Sequence, residues 1–127
     1  HLDSNMIFKA INSLEIPRFS ILAIENVGNL VCPAMFDLGE SKRILIISVT
    51  EGEDKPLKYP NMFASADVCV ISKIDLLPHL SFEFKKLIEN IQTINPNIRI
   101  IEYSALQLED QWNTWLTNEF VHYTSKY

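Results

Sequence analysis

Two hydrophobic rhythms alternate along this chain. Residues 4–15 (SNMIFKAINSLE) put Met6, Ile7, Ala10, Ile11 and Leu14 on one face at helical spacing. Ser4 stands where an N-cap is expected, and Pro17 closes the helix. Residues 19–24 (FSILAI) are then almost continuously apolar, as are 43–49 (RILIISV), 66–72 (ADVCVIS) and 98–103 (IRIIEY). Unbroken apolar runs of this length predict strands buried on both faces of a parallel sheet. Helical spacing returns between and after them. It predicts a short helix over 57–64, a longer one over 81–93 stopped by Asn95-Pro96, and a last one over 109–120 with Trp112, Trp115 and Leu116. Strand and helix alternating in this way predict an α/β fold, a three-layer and mostly parallel sheet with helices on both faces.

In such folds ligands bind beyond the C-terminal ends of the strands, so the residues that follow each strand matter most. After the first come Glu25-Asn26-Val27-Gly28, and after the second Thr50-Glu51-Gly52-Glu53-Asp54-Lys55. After the third come Ser72-Lys73-Ile74-Asp75, and after the fourth Ser104-Ala105. Polar residues collect at one edge of the predicted sheet. The 127 residues suffice for one domain with one core, and repeats, low-complexity tracts and linkers are not visible. A formal net charge of -5 argues against binding nucleic acid or an anionic membrane through a basic face. No apolar run approaches the roughly 20 residues of a membrane span, and no signal-peptide pattern is visible. Two cysteines, Cys32 and Cys69, are too few for a disulfide scaffold, so a reducing cytoplasm is the expected location.

The order of the strand ends points to guanine-nucleotide chemistry. A glycine in acid-x-x-Gly carries no side chain, so its N–H can come close to a γ-phosphate. An Asp in Lys-x-Asp can accept two hydrogen bonds from the N1 and N2 edge of guanine, while the Lys stem packs along the base. A backbone N–H at Ser-Ala can meet the guanine carbonyl. Each signal alone is weak, but three in order, each at a strand end, carry weight. ENVGNLVCP (25–33), FDLGE (36–40), VTEGEDKPLKYPNMF (49–63), KIDLLP (73–78) and the opening HLDSNM then make the pattern specific. Together they resemble the hydrogenase nickel-incorporation GTPase family, HypB, from His1 to about Leu116.

That resemblance implies a P-loop NTPase-like G domain of the SIMIBI class, a GTP-hydrolysing metallochaperone that delivers nickel to the immature large subunit of [NiFe]-hydrogenase. It implies dimerisation through the G domain, with GTP or GDP and Mg²⁺ bound, and a nickel or zinc site at the dimer interface. Glu25, Asn26 and Gly28 fall on the family's switch. Lys73 and Asp75 fall on its guanine-specificity motif, followed by Ser104 and Ala105. His1 and Cys32 fall on metal ligands. Its implied partners are other hydrogenase maturation proteins, the hydrogenase large subunit and a second copy of the chain.

The chain also departs from the family. Its three glycines, at 28, 39 and 52, are not followed by Lys-[Ser/Thr], so these residues hold no G-x-x-x-x-G-K-[ST] phosphate loop. The Cys expected before His1 is missing too. Ser72 stands where Asn is usual, and Leu106 where Lys is common. The chain is therefore expected to be one partial G domain over 1–127, without the phosphate-loop strand and not hydrolytic alone. Lacking that strand, its sheet should show unpaired edges, a changed strand order, or pairing with another chain. A non-catalytic module binding metal or a maturation partner is the alternative, as is the related urease nickel-accessory GTPase. Plain structural roles are expected elsewhere: Cys69 as buried filler, His79 and His122 at the surface, and Trp112 and Trp115 packing a helix on the sheet. Glu51, Glu53 and Asp54 are expected in a solvated loop.

Overall fold

The computed structural model describes residues 2–26, 36–107 and 111–127. Three strands form a parallel sheet in the order β1-β2-β3: β1 Ile44–Ser48, β2 Val68–Ser72 and β3 Arg99–Glu102. Ile44 pairs with Val68 and Ser48 with Ser72 across the first ladder; Val68 pairs with Arg99 and Ile71 with Glu102 across the second. β2 lies in the middle, and its four apolar residues are all buried, as expected for a strand covered on both faces.

Alternation along the strands separates two cores. Leu45, Ile47, Cys69 and Ile71 face helices α3 (Pro60–Ser65) and α4 (Phe84–Ile94), which contribute Met62, Phe63, Leu87 and Ile91. Val68, Val70 and Ile101 face Trp115 of α5 (Gln111–Thr124), with Trp112 and Leu116 packed beside it. The result is three layers, with helices on both faces of the sheet. Leu87 and Ile91 are each 0% exposed, so each contributes about 1.5–3 kcal/mol by burial. Trp112 and Trp115 pack on one another at 5.3 Å between ring centroids. Cys69 is filler: burial pushes its thiol up to about 12, far from the thiolate a nucleophile or metal ligand requires.

Asn95 locks α4 to the connection between α3 and β2. Its backbone N–H donates to Ile91 O and ends the helix, while its side-chain amide donates to Phe63 O and Ala66 O, each at 3.0 Å. Pro96 follows and cannot continue the helix.

Four sequence expectations change. Residues 19–24 form no strand. They run as irregular backbone, with Ile21 55% and Leu22 44% exposed. A strand needs a neighbour to pair its N–H and C=O groups, and among the described residues none pairs with this segment. The sheet is therefore three-stranded, and β1 and β3 are its edges among the described residues. The first helix, α1 (Ser4–Ser13), is capped by Asp3, whose carboxylate accepts from Met6 N at 2.9 Å, and not by Ser4. Of its apolar face only Ile7 is buried, because helical spacing reports a face but not what covers it. The helix expected over 57–64 is two short ones, α2 (Lys55–Lys58) and α3, each with Pro in its first turn.

Candidate functional site

At the C-terminal edge of the sheet each strand ends in a different turn. β1 runs into a 3-10 turn, Val49–Glu51, closed by a capping box: the Ser48 hydroxyl accepts from Thr50 N at 3.3 Å, and Glu51 accepts from Ser48 N at 3.2 Å. Gly52 follows at φ +95, a conformation that favours glycine, and an added Cβ would meet the Asp54 carboxylate at 3.0 Å. Two of the carboxylates around it are paired with lysines on α2. Glu51 pairs with Lys55 at 3.5 Å, and Asp54 with Lys58 at 3.0 Å. The Lys58 ammonium holds the Asp54 carboxyl below its ordinary value and is itself raised by it. Among the described residues no group of three or more His, Cys, Asp or Glu is arranged to hold a metal ion.

The turns after β2 and β3 are tied together. Lys73 takes the left-handed conformation, φ 61 and ψ 34, and the chain enters a 3-10 turn, Ile74–His79, with Asp75 in its first turn. A non-glycine residue held there is strained by roughly 1–2 kcal/mol, and surrounding contacts must hold it. Ile74 N donates to Tyr103 O at 3.3 Å, and Tyr103 N donates to Ile71 O at 2.9 Å. The Ser104 hydroxyl, in a residue only 4% exposed, donates to Asp75 Oδ1 at 2.6 Å. The Ser104 hydroxyl oxygen in turn accepts from Leu106 N at 3.2 Å, and Gln107 N donates to Ser104 O at 3.3 Å. Ser72 sends its hydroxyl to Ile47 O at 2.9 Å and so ties the ends of β1 and β2.

Four residues read as a base pocket in the sequence, Lys73, Asp75, Ser104 and Ala105, therefore lie in two adjoining turns. Asp75 is half-buried and held through one oxygen. Lys73 and Ala105 are exposed. The two turns thus present a carboxylate held through one oxygen and an exposed lysine, groups that can meet a flat ligand carrying N–H donors on one edge. Glu25 is exposed and Asn26 half-buried at the end of the irregular segment. His1, Gly28 and Cys32 lie outside the described residues. The sequence reading did not single out Tyr103, because it acts through backbone groups that leave no residue signature. His79 and His122 are both exposed. A cleft of about 580 Å³ opens at the opposite edge, lined by Asp67, Asn95, Arg99 and Asn118 among others. None of the motif residues lines it, and we place the site by the tied turns.

Known proteins resemble this chain in sequence and in fold. Residues 1–102 match the family described as CobW/HypB/UreG, nucleotide-binding domain. The hydrogenase maturation factor HypB of Escherichia coli (strain K12) is 53% identical over 121 residues, covering 94% of this chain and 42% of that protein. The crystal structure of hydrogenase maturation factor HypB from Archaeoglobus fulgidus superposes with a TM-score of 0.83 at 38% identity, over 94% of this chain and 59% of that one. The structure of HypB from Helicobacter pylori in complex with nickel gives a TM-score of 0.64 at 36% identity, over 79% of this chain and 44% of that one. The chain thus spans less than half the length of the Escherichia coli relative. A parallel sheet with its polar turns gathered at one edge, and matched sequence over most of its length, place this chain in the CobW/HypB/UreG nucleotide-binding family.

Proposed function

We propose that this chain is the later part of a G domain, spanning 1–127, of a hydrogenase maturation factor that couples guanine-nucleotide binding to nickel delivery. One observation carries the reading: the Asp75 carboxylate rests on the buried Ser104 hydroxyl, with Lys73 and Ala105 in the same pair of turns. The fit to guanine is chemical. Fixing Oδ1 orients the carboxylate plane, so that a purine presenting N1–H and N2–H meets an acceptor already in place. Lys73 lends its stem to the base plane, and the Ala105 N–H is a donor for the base carbonyl. The relatives' names support hydrogenase maturation as the process, and the nickel complex of the Helicobacter pylori relative supports nickel as the cargo.

The remaining roles follow the family assignment. Glu25, Asn26 and Gly28 act as the switch toward the γ-phosphate and its Mg²⁺. His1 and Cys32 are ligands for nickel, with zinc able to use the same donors. Maturation proteins and the hydrogenase large subunit are the partners, the assembly is a homo-oligomer, and the compartment is the cytoplasm. Among the described residues no helix is long and apolar enough to cross a membrane.

These 127 residues hold no G-x-x-x-x-G-K-[ST] loop, which supplies most of the N–H groups and the Lys that grip β- and γ-phosphates. The chain alone is expected to hydrolyse no GTP, and to bind guanine nucleotide with about millimolar affinity, about 4 kcal/mol. Calorimetric titration with GDP and Mg²⁺ tests this. Heat appearing only at millimolar nucleotide fits a base pocket working without a phosphate grip. Micromolar binding would show that the turns described here suffice to hold the whole nucleotide.

A further inference from the structure

The cleft at the other edge of the sheet is lined by charges that do not meet one another. It measures about 580 Å³, within the roughly 300–1,000 Å³ of small-ligand sites. Lys42 and Arg99 line it as cations, Asp67 and Glu119 as carboxylates. None of these four is in an ion pair among the described residues, where the salt bridges join Arg43 to Glu40, Lys55 to Glu51, Lys58 to Asp54 and Lys86 to Glu83. Lys42 and Glu119 are nevertheless half-buried. The backbone at this edge is fixed. Arg43 N donates to Asp67 Oδ2 at 2.7 Å, Asp67 N to Arg43 O at 2.9 Å, and Arg99 N to Asp67 O at 3.0 Å. Asp67 therefore enters the middle strand with Lys42 and Arg99 at the entries to its two neighbours, each about one strand spacing, 4.8 Å, away. Trp115, 9% exposed, adds an apolar patch, and Asn95 stiffens one side through its bonds to Phe63 O and Ala66 O.

We propose that this cleft binds a short zwitterionic peptide, its carboxylate on Arg99 and Lys42 and its ammonium on Glu119 and Asp67. Partly desolvated charges held without a counter-charge raise the free energy of the empty cleft. A ligand of one sign relieves only half of them. A simple anion meets Lys42 and Arg99 but also faces two carboxylates, and a simple cation meets the reverse. A ligand carrying both signs answers all four. Arg99 brings a planar fork that can take a carboxylate through two N–H bonds, and Lys42 adds a point charge. Asp67 spends Oδ2 on Arg43 N and keeps Oδ1 for a ligand donor. The site is independent of the guanine reading, since Lys73, Asp75, Ser104 and Ala105 do not line this cleft.

The test titrates this chain with triglycine, followed by the backbone amide signals of Asp67, Arg99 and Glu119 in NMR at constant ionic strength and near neutral pH. N-acetyl-triglycine, which keeps only the carboxylate, and triglycine amide, which keeps only the ammonium, serve as comparisons. Triglycine should shift those signals saturably at about millimolar concentration, and each singly charged analogue should bind about threefold to tenfold more weakly. Two variants assign the ends. Arg99→Gln should abolish the preference for triglycine over its amide, and Glu119→Gln the preference over the acetylated peptide. Unchanged circular dichroism checks that both variants fold, and the comparison of three ligands on wild type stands without them. N-acetyl-triglycine binding as tightly as triglycine would overturn the proposal in favour of an ordinary anion site. Absence of saturable shifts to tens of millimolar triglycine, or binding untouched by both substitutions, would overturn it outright.

Discussion

Lys73 carries opposing demands at the scale of one residue. Its left-handed backbone, φ 61, costs stability, and in the proposed pocket its side chain is the one offered to the base. Glycine would adopt that conformation freely but loses more entropy on folding, which offsets part of the gain. Lys73→Gly is therefore expected to raise unfolding stability by up to about 1 kcal/mol, while weakening GMP binding severalfold. Denaturant unfolding and NMR titration of the same variant read the two effects separately. If stability falls instead, the backbone strain is not what the conformation implies. Motif residues were readable here because the base chemistry proposed for this site selects residue types: carboxylate, lysine and small polar turn residues. The strain at Lys73 and the Ser72 hydroxyl on Ile47 O were not readable, since both depend on backbone geometry brought together from distant segments.

Among the elements, α4 shows how one polar residue coordinates several pieces. Asn95 ends the helix and satisfies carbonyls at the end of α3 and the entry to β2. Removing its amide leaves those half-buried acceptors without their donor. Asn95→Ala is expected to cost about 1–3 kcal/mol, read as a lower urea midpoint with unchanged slope. Asn95→Asp should cost at least as much, because a carboxylate brings only acceptors to a place that needs a donor. A loss within 0.5 kcal/mol for both would mean that the connection is held by Phe63 and Leu87 packing alone. Asn95-Pro96 announced the helix stop in the sequence. The bridge to residues 63 and 66 did not show there, because a separation of about thirty residues leaves no local pattern.

For the whole molecule the open question is the sheet edge. Ile46, mid-strand in β1, is 65% exposed, and Phe19, Ile21 and Leu22 are also exposed. Edge strands with apolar surface invite association. The homo-oligomer proposed above therefore predicts concentration-dependent self-association of this chain. Ile46→Lys should reduce it, leaving the β1–β2 ladder intact because the ladder is made by the backbone. Sedimentation velocity across a hundredfold concentration range checks this. A monomer at all concentrations in both proteins would remove Ile46 from any interface between copies.

The sequence alone determined the alternation of buried strands and amphipathic helices, the parallel α/β class, the gathering of polar residues at one edge and the family. Each of these is written locally, in periodicity or in short motifs. Only the three-dimensional structure decided which apolar runs become strands, since residues 19–24 have a strand's composition and, among the described residues, no partner to pair with. It also decided that Asp75 and Leu106 share one buried hydroxyl. The reason is the same in both cases. A hydrogen-bond ladder and the bond from the Ser104 hydroxyl to Asp75 are relations between segments far apart in the chain, and composition states what a segment can do without stating what it will meet.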